Sequence, residues 1–582
     1  MNLLGLFALS LLTSVTVGAV EMGRIIQYNV VNLLNQSETM GVTVDNATFP
    51  LKLRNNDTKI LYSGMAPAAK SSYHYVHIFP NNTAIEESFK RAPVMQDTVN
   101  EFFNRTWNNY SVAQLPQIYP PLPAIKRVSS QLHKEGQIPS IHISGNQTLF
   151  DEMHSNSTAD LSVMSNISYV SLNDTLFYED VEVSLAGRSS RWLPKLSYNL
   201  KLDKEDRLYK YRRVKLRALA TDPSYIREQL AYDIVKSVGL ASAEFSFVRV
   251  FMNDQPLGLF GIIETFQDPW LANTFANGST SYKNGYLYQG VFMTPQSAAQ
   301  GHISDLSYYS NLSAYGDGQY KIKQEASKGD KVNWEPLQEF TKFISTAPTN
   351  QSDAVATWNK HLDTDSFLRS MALEVLLGYS DGYFAMADNY YVYQNLDADN
   401  YFYIPSDMDL TFGSTMFNLT DMWSGNYSTF PGLKTRPLME KMLRVPQFNK
   451  QYNELLTNFT SMLINPNKTN DRIDNLVNML KEDVAWDKAI PRVGDNLFGQ
   501  IDPTAAADNN NDTETSSILG AVIGDAIPMN LDSATAADLA QRINASIPFI
   551  KAVDGPTGYI SLAGVKEWIH SISQNVTNFY SS

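Results

Sequence analysis

The 582-residue chain contains no cysteine, so no disulfide framework holds it and its stability has to come from the size of its core. It also lacks any long block of Lys and Arg, and its net charge is −14. Nucleic-acid binding needs concentrated cations against the phosphates, which excludes that class of partner. The eight histidines fall in no H-E-x-x-H spacing and no G-x-S-x-G elbow occurs, which removes zinc-hydrolase and serine-hydrolase chemistry. Past the N-terminal run, no apolar stretch approaches the ~20 residues of a transmembrane segment. The closing NVTNFYSS has no hydrophobic tail of the lipid-anchor type, and no internal repeat is visible.

What is present starts with MNLLGLFALSLLTSVTVGAVEM, an apolar run ending in Val17-Gly18-Ala19. This is the pattern of a secretory signal peptide over 1–19. About twenty N-x-Ser/Thr sequons follow, among them Asn35, Asn46, Asn104, Asn146, Asn166, Asn277, Asn311, Asn418, Asn458 and Asn575. That density predicts a glycosylated eukaryotic secretory protein. With 43 % hydrophobic and 12 % aromatic residues, the chain can bury a large interior as several domains or one two-lobed enzyme.

Short alternating runs (IIQYNVVNLL, ETMGVTVDN, SYHYVHIFP) predict an N-terminal β-rich domain over 20–125, and Pro116, Pro120, Pro121 and Pro123 predict a linker at its end. A mixed region over 138–268 follows. Segments 181–187, 197–202 and 213–220 alternate like strands. Asp222 and Pro223 open a helix that Gly239 stops, and FSFVRVFMN with LGLFGIIETF forms a hairpin turning at 253–256. Residues 269–582 read as mainly helical, with a low-complexity loop near 502–517 (DPTAAADNNNDTETSS).

Chemistry concentrates in DGYFAMADNYYVYQNLDADNYFYIPSDMDLTFG, residues 381–413. Two aromatic-rich runs flank LDADN and read as a hairpin centred on Ala398, which places Asn389 opposite Asp407. Asp409 lies two residues further on, and Asp381 a short loop upstream. Hard cations such as magnesium take carboxylate and amide oxygens and keep water and phosphate oxygens for their other positions. An Asp, an Asn, a hairpin and a second Asp is also the order of parts in protein kinases, although no HRD precedes Asp381 and DMD stands where kinases have DFG.

PKLSYNLKL, KLRALATDPSYIREQLAYDIVKSVGL, FVRVFMNDQPLGLFGIIETF, GYSDGYFAMADNYYVYQN and FYIPSDMDLTFG, in that order, resemble the CotH family of atypical spore-coat protein kinases and their secreted fungal relatives. The resemblance covers roughly 138–480. It implies an α+β, atypical protein-kinase-like two-lobed fold, with 138–268 as N-lobe and 269–582 as C-lobe beside the N-terminal β-rich domain. It implies Mg- or Mn-dependent transfer of the ATP γ-phosphoryl group to Ser or Thr of a surface or coat protein. Asp381 would then be the catalytic Asp that orients or deprotonates the acceptor hydroxyl, with Asn389 and Asp407 as metal ligands. Either Lys195 or Lys201 would hold the nucleotide phosphates, Glu228 would steady that lysine, and Arg188 would touch phosphate. Fungal members of the family are also invasins that bind a host-cell receptor, and GQIDPTAAADNNND (499–512) sits where such members carry an exposed Asn/Asp-rich stretch. The alternative reading is therefore an adhesin using the kinase fold as scaffold.

Overall fold

The computed structural model describes residues 24–497 and 533–581, apart from 36, 56, 330 and 544. The expected signal peptide, the 502–517 loop and the 499–512 stretch lie outside the described residues. The chain divides into two compact units, 1–106 and 107–582.

The first unit is all β. Its strands are β1 (Ile25–Val31), β2 (Thr39–Val44), β3 (Ala47–Leu53), β4 (Leu61–Pro67), β5 (Tyr73–Ile78), β6 (Ala84–Glu86) and β7 (Glu101–Phe102), in spatial order β6-β5-β2-β3-β4-β1-β7. All neighbours are antiparallel except β1 and β7. Alternation puts Tyr28, Val30, Met40, Val42 and Tyr75 into a dry core. Arg91, bound by Glu87 at 2.6 Å and Glu101 at 3.2 Å, closes one edge with a satisfied buried ion network.

The proline-rich segment is not a free linker. It lies within the second unit and is hydrogen-bonded there, with Ile118 N donating to Ser237 O at 2.9 Å and Leu122 N to Gly239 O at 3.0 Å. Arg127 and His133 then both reach the buried carboxylate of Glu264. Proline fixes an extended backbone but does not stop the neighbouring amides from finding carbonyls.

In the second unit seven strands close a barrel: β8 (Ser140–Ser144), β9 (Ser162–Val170), β10 (Thr175–Leu185), β11 (Tyr198–Lys201), β12 (Arg213–Arg217), β13 (Phe245–Met252) and β14 (Gln255–Glu264), in the order β10-β11-β12-β14-β13-β8-β9. Val183, Tyr198, Leu200, Val214, Leu216 and Ile262 fill it. Helix Arg227–Ser237 begins later than Asp222 and Pro223 predict. Asp222 spends its carboxylate on Ser224 N, Arg227 N and the Arg227 guanidinium, and Tyr225 turns left-handed (φ 59°). The capping acid therefore holds a turn before the helix, and Gly239 (φ 74°) ends it as expected.

The remainder is mainly helical, as the sequence predicts, but it also contains a four-stranded sheet of order β16-β15-β17-β18: β15 (Leu287–Gly290), β16 (Tyr320–Gln324), β17 (Tyr390–Asn395) and β18 (Asn400–Pro405). The hairpin β17–β18 is one residue out of the predicted register. Asn395 pairs with Asn400 and Tyr390 with Pro405, so Ser406 rather than Asp407 follows opposite Asn389. Asp399 adopts a left-handed conformation (φ 52°) that closes a four-residue loop, so Asn400 joins the strand instead of the turn. Overall the chain is α+β with a β-rich N-terminal region.

Candidate functional site

Helix Thr364–Leu377 carries the chain into the acidic centre. Asp363 caps it by accepting from Ser366 N at 2.9 Å. Gly378, left-handed at φ 63°, ends it. A Cβ at this glycine would stand 2.3 Å from the Trp568 ring, so both backbone and space require glycine here. Three residues later comes Asp381.

The turn after Asp381 is clamped at both ends. Glu374, buried in the same helix, accepts from Tyr383 N (2.9 Å) and Phe384 N (2.8 Å), the free donors of the short helix Tyr383–Met386. Arg436 donates to the carbonyls of Tyr383 (2.8 Å), Phe384 (2.9 Å) and Ala385 (3.2 Å). The loop is tied to the strand exit as well. Ser380 N donates to Leu410 O at 3.0 Å, Phe412 N to Leu377 O at 2.6 Å, and Tyr379 OH to Asp407 O at 2.7 Å. These backbone links, more than the hairpin itself, bring Asp381 to Asp407 and Asp409.

Asn389 and Asp407 both lie just beyond their strands in the left-handed region, each at φ 56°. Asn and Asp tolerate that conformation better than other side chains, and such backbone gathers at functional sites. The Asn389 amide turns to Asp381, with Nδ2 donating to Oδ2 at 2.9 Å and to the backbone carbonyl at 3.2 Å. The Asp407 carboxylate faces the barrel, 2.5 Å from Arg217 Nη2 and 3.6 Å from Lys215 Nζ. Arg217 also reaches Asp409 at 3.2 Å and Glu228, on helix Arg227–Ser237, at 2.9 Å. Arg188 donates to Asp388 Oδ2 at 2.6 Å and to Val291 O at 2.9 Å.

Five carboxylates (Glu228, Asp381, Asp388, Asp407 and Asp409) thus meet three cations (Arg188, Lys215 and Arg217), and burial leaves the proton affinity of every one of these acids raised except that of Asp407. Burial pushes the Asp381 carboxyl well up, and repulsion from Asp409, Asp407 and Asp388 adds to it. Burial would raise Asp407 too, but Arg217, Lys215 and Arg188 outweigh it and hold the group down at about 2. Asp381 Oδ1 is buried without a hydrogen-bond partner. An orphan acceptor in a cluster where carboxylates outnumber cations fits a divalent cation bound through oxygens. Among the described residues no three His, Asp or Glu side chains gather closely enough to hold a metal alone. Such an ion would need the Asn389 amide, waters and phosphate oxygens besides the carboxylates, as magnesium commonly does.

Of the residues singled out from sequence, the structure brings together Asp381, Asn389, Asp407, Glu228 and Arg188. It does not bring the two lysines there. Lys195 is buried elsewhere, its Nζ 2.7 Å from Asp487 Oδ1 and donating to Leu259 O at 2.6 Å. Lys201 lies on the outer face of β11 and pairs with Glu182 at 2.6 Å. The cations that do meet the acids are Lys215 and Arg217, which sequence reasoning passed over. The available signal was R-V-K-L-R, a strand with charges on one face directly before the helix that carries Glu228.

The family model described as CotH kinase protein matches residues 183–490, more than half of the chain and all of this site. Invasin CotH2 of Rhizopus delemar is 25 % identical over 75 % of this chain and 73 % of its own. Invasin CotH3 of the same organism is 24 % identical over 83 % and 78 %. The inner spore coat protein H of Bacillus subtilis is 26 % identical over 48 % of this chain and 70 % of its own. With a match that spans the barrel strands from β11 to β14, the acidic loop and the hairpin, the chain belongs to the CotH kinase protein family.

Proposed function

We propose that this chain is a secreted or surface-held protein kinase that moves the γ-phosphoryl group of ATP to a Ser or Thr hydroxyl of a surface or coat protein. The observation that carries the reading is the buried cluster around Asp381, where five carboxylates face three cations and the Asp381 Oδ1 has no hydrogen-bond partner. Structural ion networks are normally balanced, and an unbalanced one costs stability unless a ligand completes it.

Asn389 and Asp407 would hold a magnesium or manganese ion, which when bound neutralises charge on phosphate oxygens. Lys215 approaches the phosphates from the barrel, and Arg217 is fixed by Glu228 so that the cation face of β12 keeps its position. Asp381 orients the acceptor hydroxyl. As the oxygen attacks phosphorus, the bond to the ADP oxygen breaks and the hydroxyl proton passes to the Asp381 carboxylate. The raised affinity of Asp381 for protons suits an acceptor. Positioning on the doubly clamped turn is its larger service.

The test is nucleotide binding and phosphate incorporation by the full secreted protein with magnesium or manganese. Asp407→Asn is expected to lose metal-dependent nucleotide binding. Asp381→Asn should keep binding while transfer falls by about 10²–10⁴. Wild type that binds no nucleotide under any of these conditions overturns the reading. The invasin names of the two fungal relatives favour adhesion to a host receptor as the second reading. Host-cell binding by both variants at wild-type strength would support it.

A further inference from the structure

Cations continue past the acidic centre along two strands of different sheets. On β12, Arg213, Lys215 and Arg217 alternate with Val214 and Leu216, which point into the barrel. On β16, an edge strand, Lys321 and Lys323 flank Ile322. Lys321 pairs with Gln289 on β15, and Gln289 pairs with Tyr391 on β17, so these three share one face of the sheet. That face meets the barrel exit, because Tyr391 stacks on Phe266 with ring centroids 4.2 Å apart. One residue on from Phe266, Gln267 accepts from Arg213 at 3.0 Å.

Lys323 is half-buried and has no carboxylate or carbonyl partner among the described residues. Its ammonium is depressed to about 8 by burial first and then by the like charges of Lys321, Lys215 and Arg213. Arg213 has a buried Nε without an acceptor. The acids that act on these cations lie to one side of Lys323: Asp407, Glu228 and Asp409 on Lys215, and Glu182 and Asp268 on Arg213. A lysine placed among like charges, with burial and without an acid, is unfavourable in the empty protein, so the geometry calls for an anion supplied from outside.

We propose that Arg213, Lys215, Lys321 and Lys323 form a polyphosphate site built across the barrel and the four-stranded sheet. A small oxyanion fits the half-buried ammonium groups of Lys215 and Lys323, with the exposed Lys321 beside them, better than an acidic peptide, whose backbone would also need partners. The site itself stands on these residues alone. Its natural occupant, the phosphate chain of a nucleoside triphosphate, rests on the kinase reading above, and free inorganic polyphosphate is the other source of the same chemistry.

The experiment measures binding of inorganic tripolyphosphate, ATP and adenosine to wild type, Lys323→Gln and Lys321→Gln/Lys323→Gln. The double variant should bind tripolyphosphate at least tenfold more weakly and adenosine unchanged. Its urea midpoint should equal or exceed that of wild type, since an unpaired charge has been removed; a structural lysine would lower it. ATP weakened together with tripolyphosphate identifies the nucleotide as occupant, whereas tripolyphosphate weakened alone identifies free polyphosphate. Lysine-dependent tripolyphosphate binding without phosphoryl transfer keeps the site and removes the kinase reading. Transfer and tripolyphosphate binding unchanged in the double variant overturn the site and leave the kinase reading standing.

Discussion

Replacing Lys195 by Met decides between two roles for a lysine that the family resemblance places in the nucleotide site and the structure buries elsewhere. Its side chain is 7 % exposed, and that of Asp487 is 0 % exposed. The ammonium also sits 4.6 Å above the Phe260 ring. Removing one partner of a buried pair costs about 3–5 kcal/mol because the other charge is stranded. Asp487 keeps Arg492 at 3.0 Å, Tyr225 OH at 2.7 Å and Leu259 N at 2.8 Å, and Met fills most of the lysine stem. The loss is therefore set at the lower end, about 2–3 kcal/mol. Urea denaturation reads it globally, and hydrogen exchange at the Leu259 amide reads it locally. Nucleotide affinity of the folded variant should match wild type. Lys215→Met should do the reverse, with a stability change within about 0.5 kcal/mol and a fall in turnover of about 10²–10³. A Lys195→Met protein as stable as wild type but unable to bind magnesium nucleotide would refute the assignment.

Glu374→Gln removes an acceptor from the turn after Asp381 and should cost about 1–3 kcal/mol, with turnover lowered and nucleotide affinity kept. Burial raises Glu374 from its ordinary 4.5 to about 7, against the hydrogen bonds from Phe384 and Tyr383. The folded state holds a proton that the unfolded chain releases, so this contribution is full below pH 4.5 and lost as pH rises through about 7. Wild type should lose more stability across that window than the Gln variant, which keeps the raised acids Glu228 and Asp233; equal slopes would sink the idea. Gly378→Ala meets both a left-handed backbone and the Trp568 ring, and a loss of more than about 1 kcal/mol is expected in thermal or chemical unfolding. Lys201→Ala, at a partly exposed pair with Glu182, should leave nucleotide affinity unchanged and stability within about 0.5 kcal/mol.

Sequence alone determined the elements whose signals are local. Alternation over 198–202 puts Tyr198, Leu200 and Leu202 inward and Lys201 outward, as found. Gly239 stops its helix in a left-handed turn where a Cβ would stand 2.1 Å from Pro120 O. Asn253 and Asp254 turn the β13–β14 hairpin. The order Asp381, Asn389, Asp407 was legible for the same reason, since short loops join the elements that carry them.

Tertiary structure decided the rest. The hairpin register hangs on one left-handed Asp399, a single-residue choice that alternation does not encode. Strands β15 and β16 are short and owe their place to β17. Which lysine meets the acids was not legible either: Lys195, Lys201 and Lys215 all lie in or beside alternating strands, and only the closed barrel turns Lys215 to Asp407 and Lys195 to Asp487. Propensity and patterning act over a few neighbours. Coulomb attraction and burial act between residues hundreds of positions apart, and their balance exists only once the chain has folded.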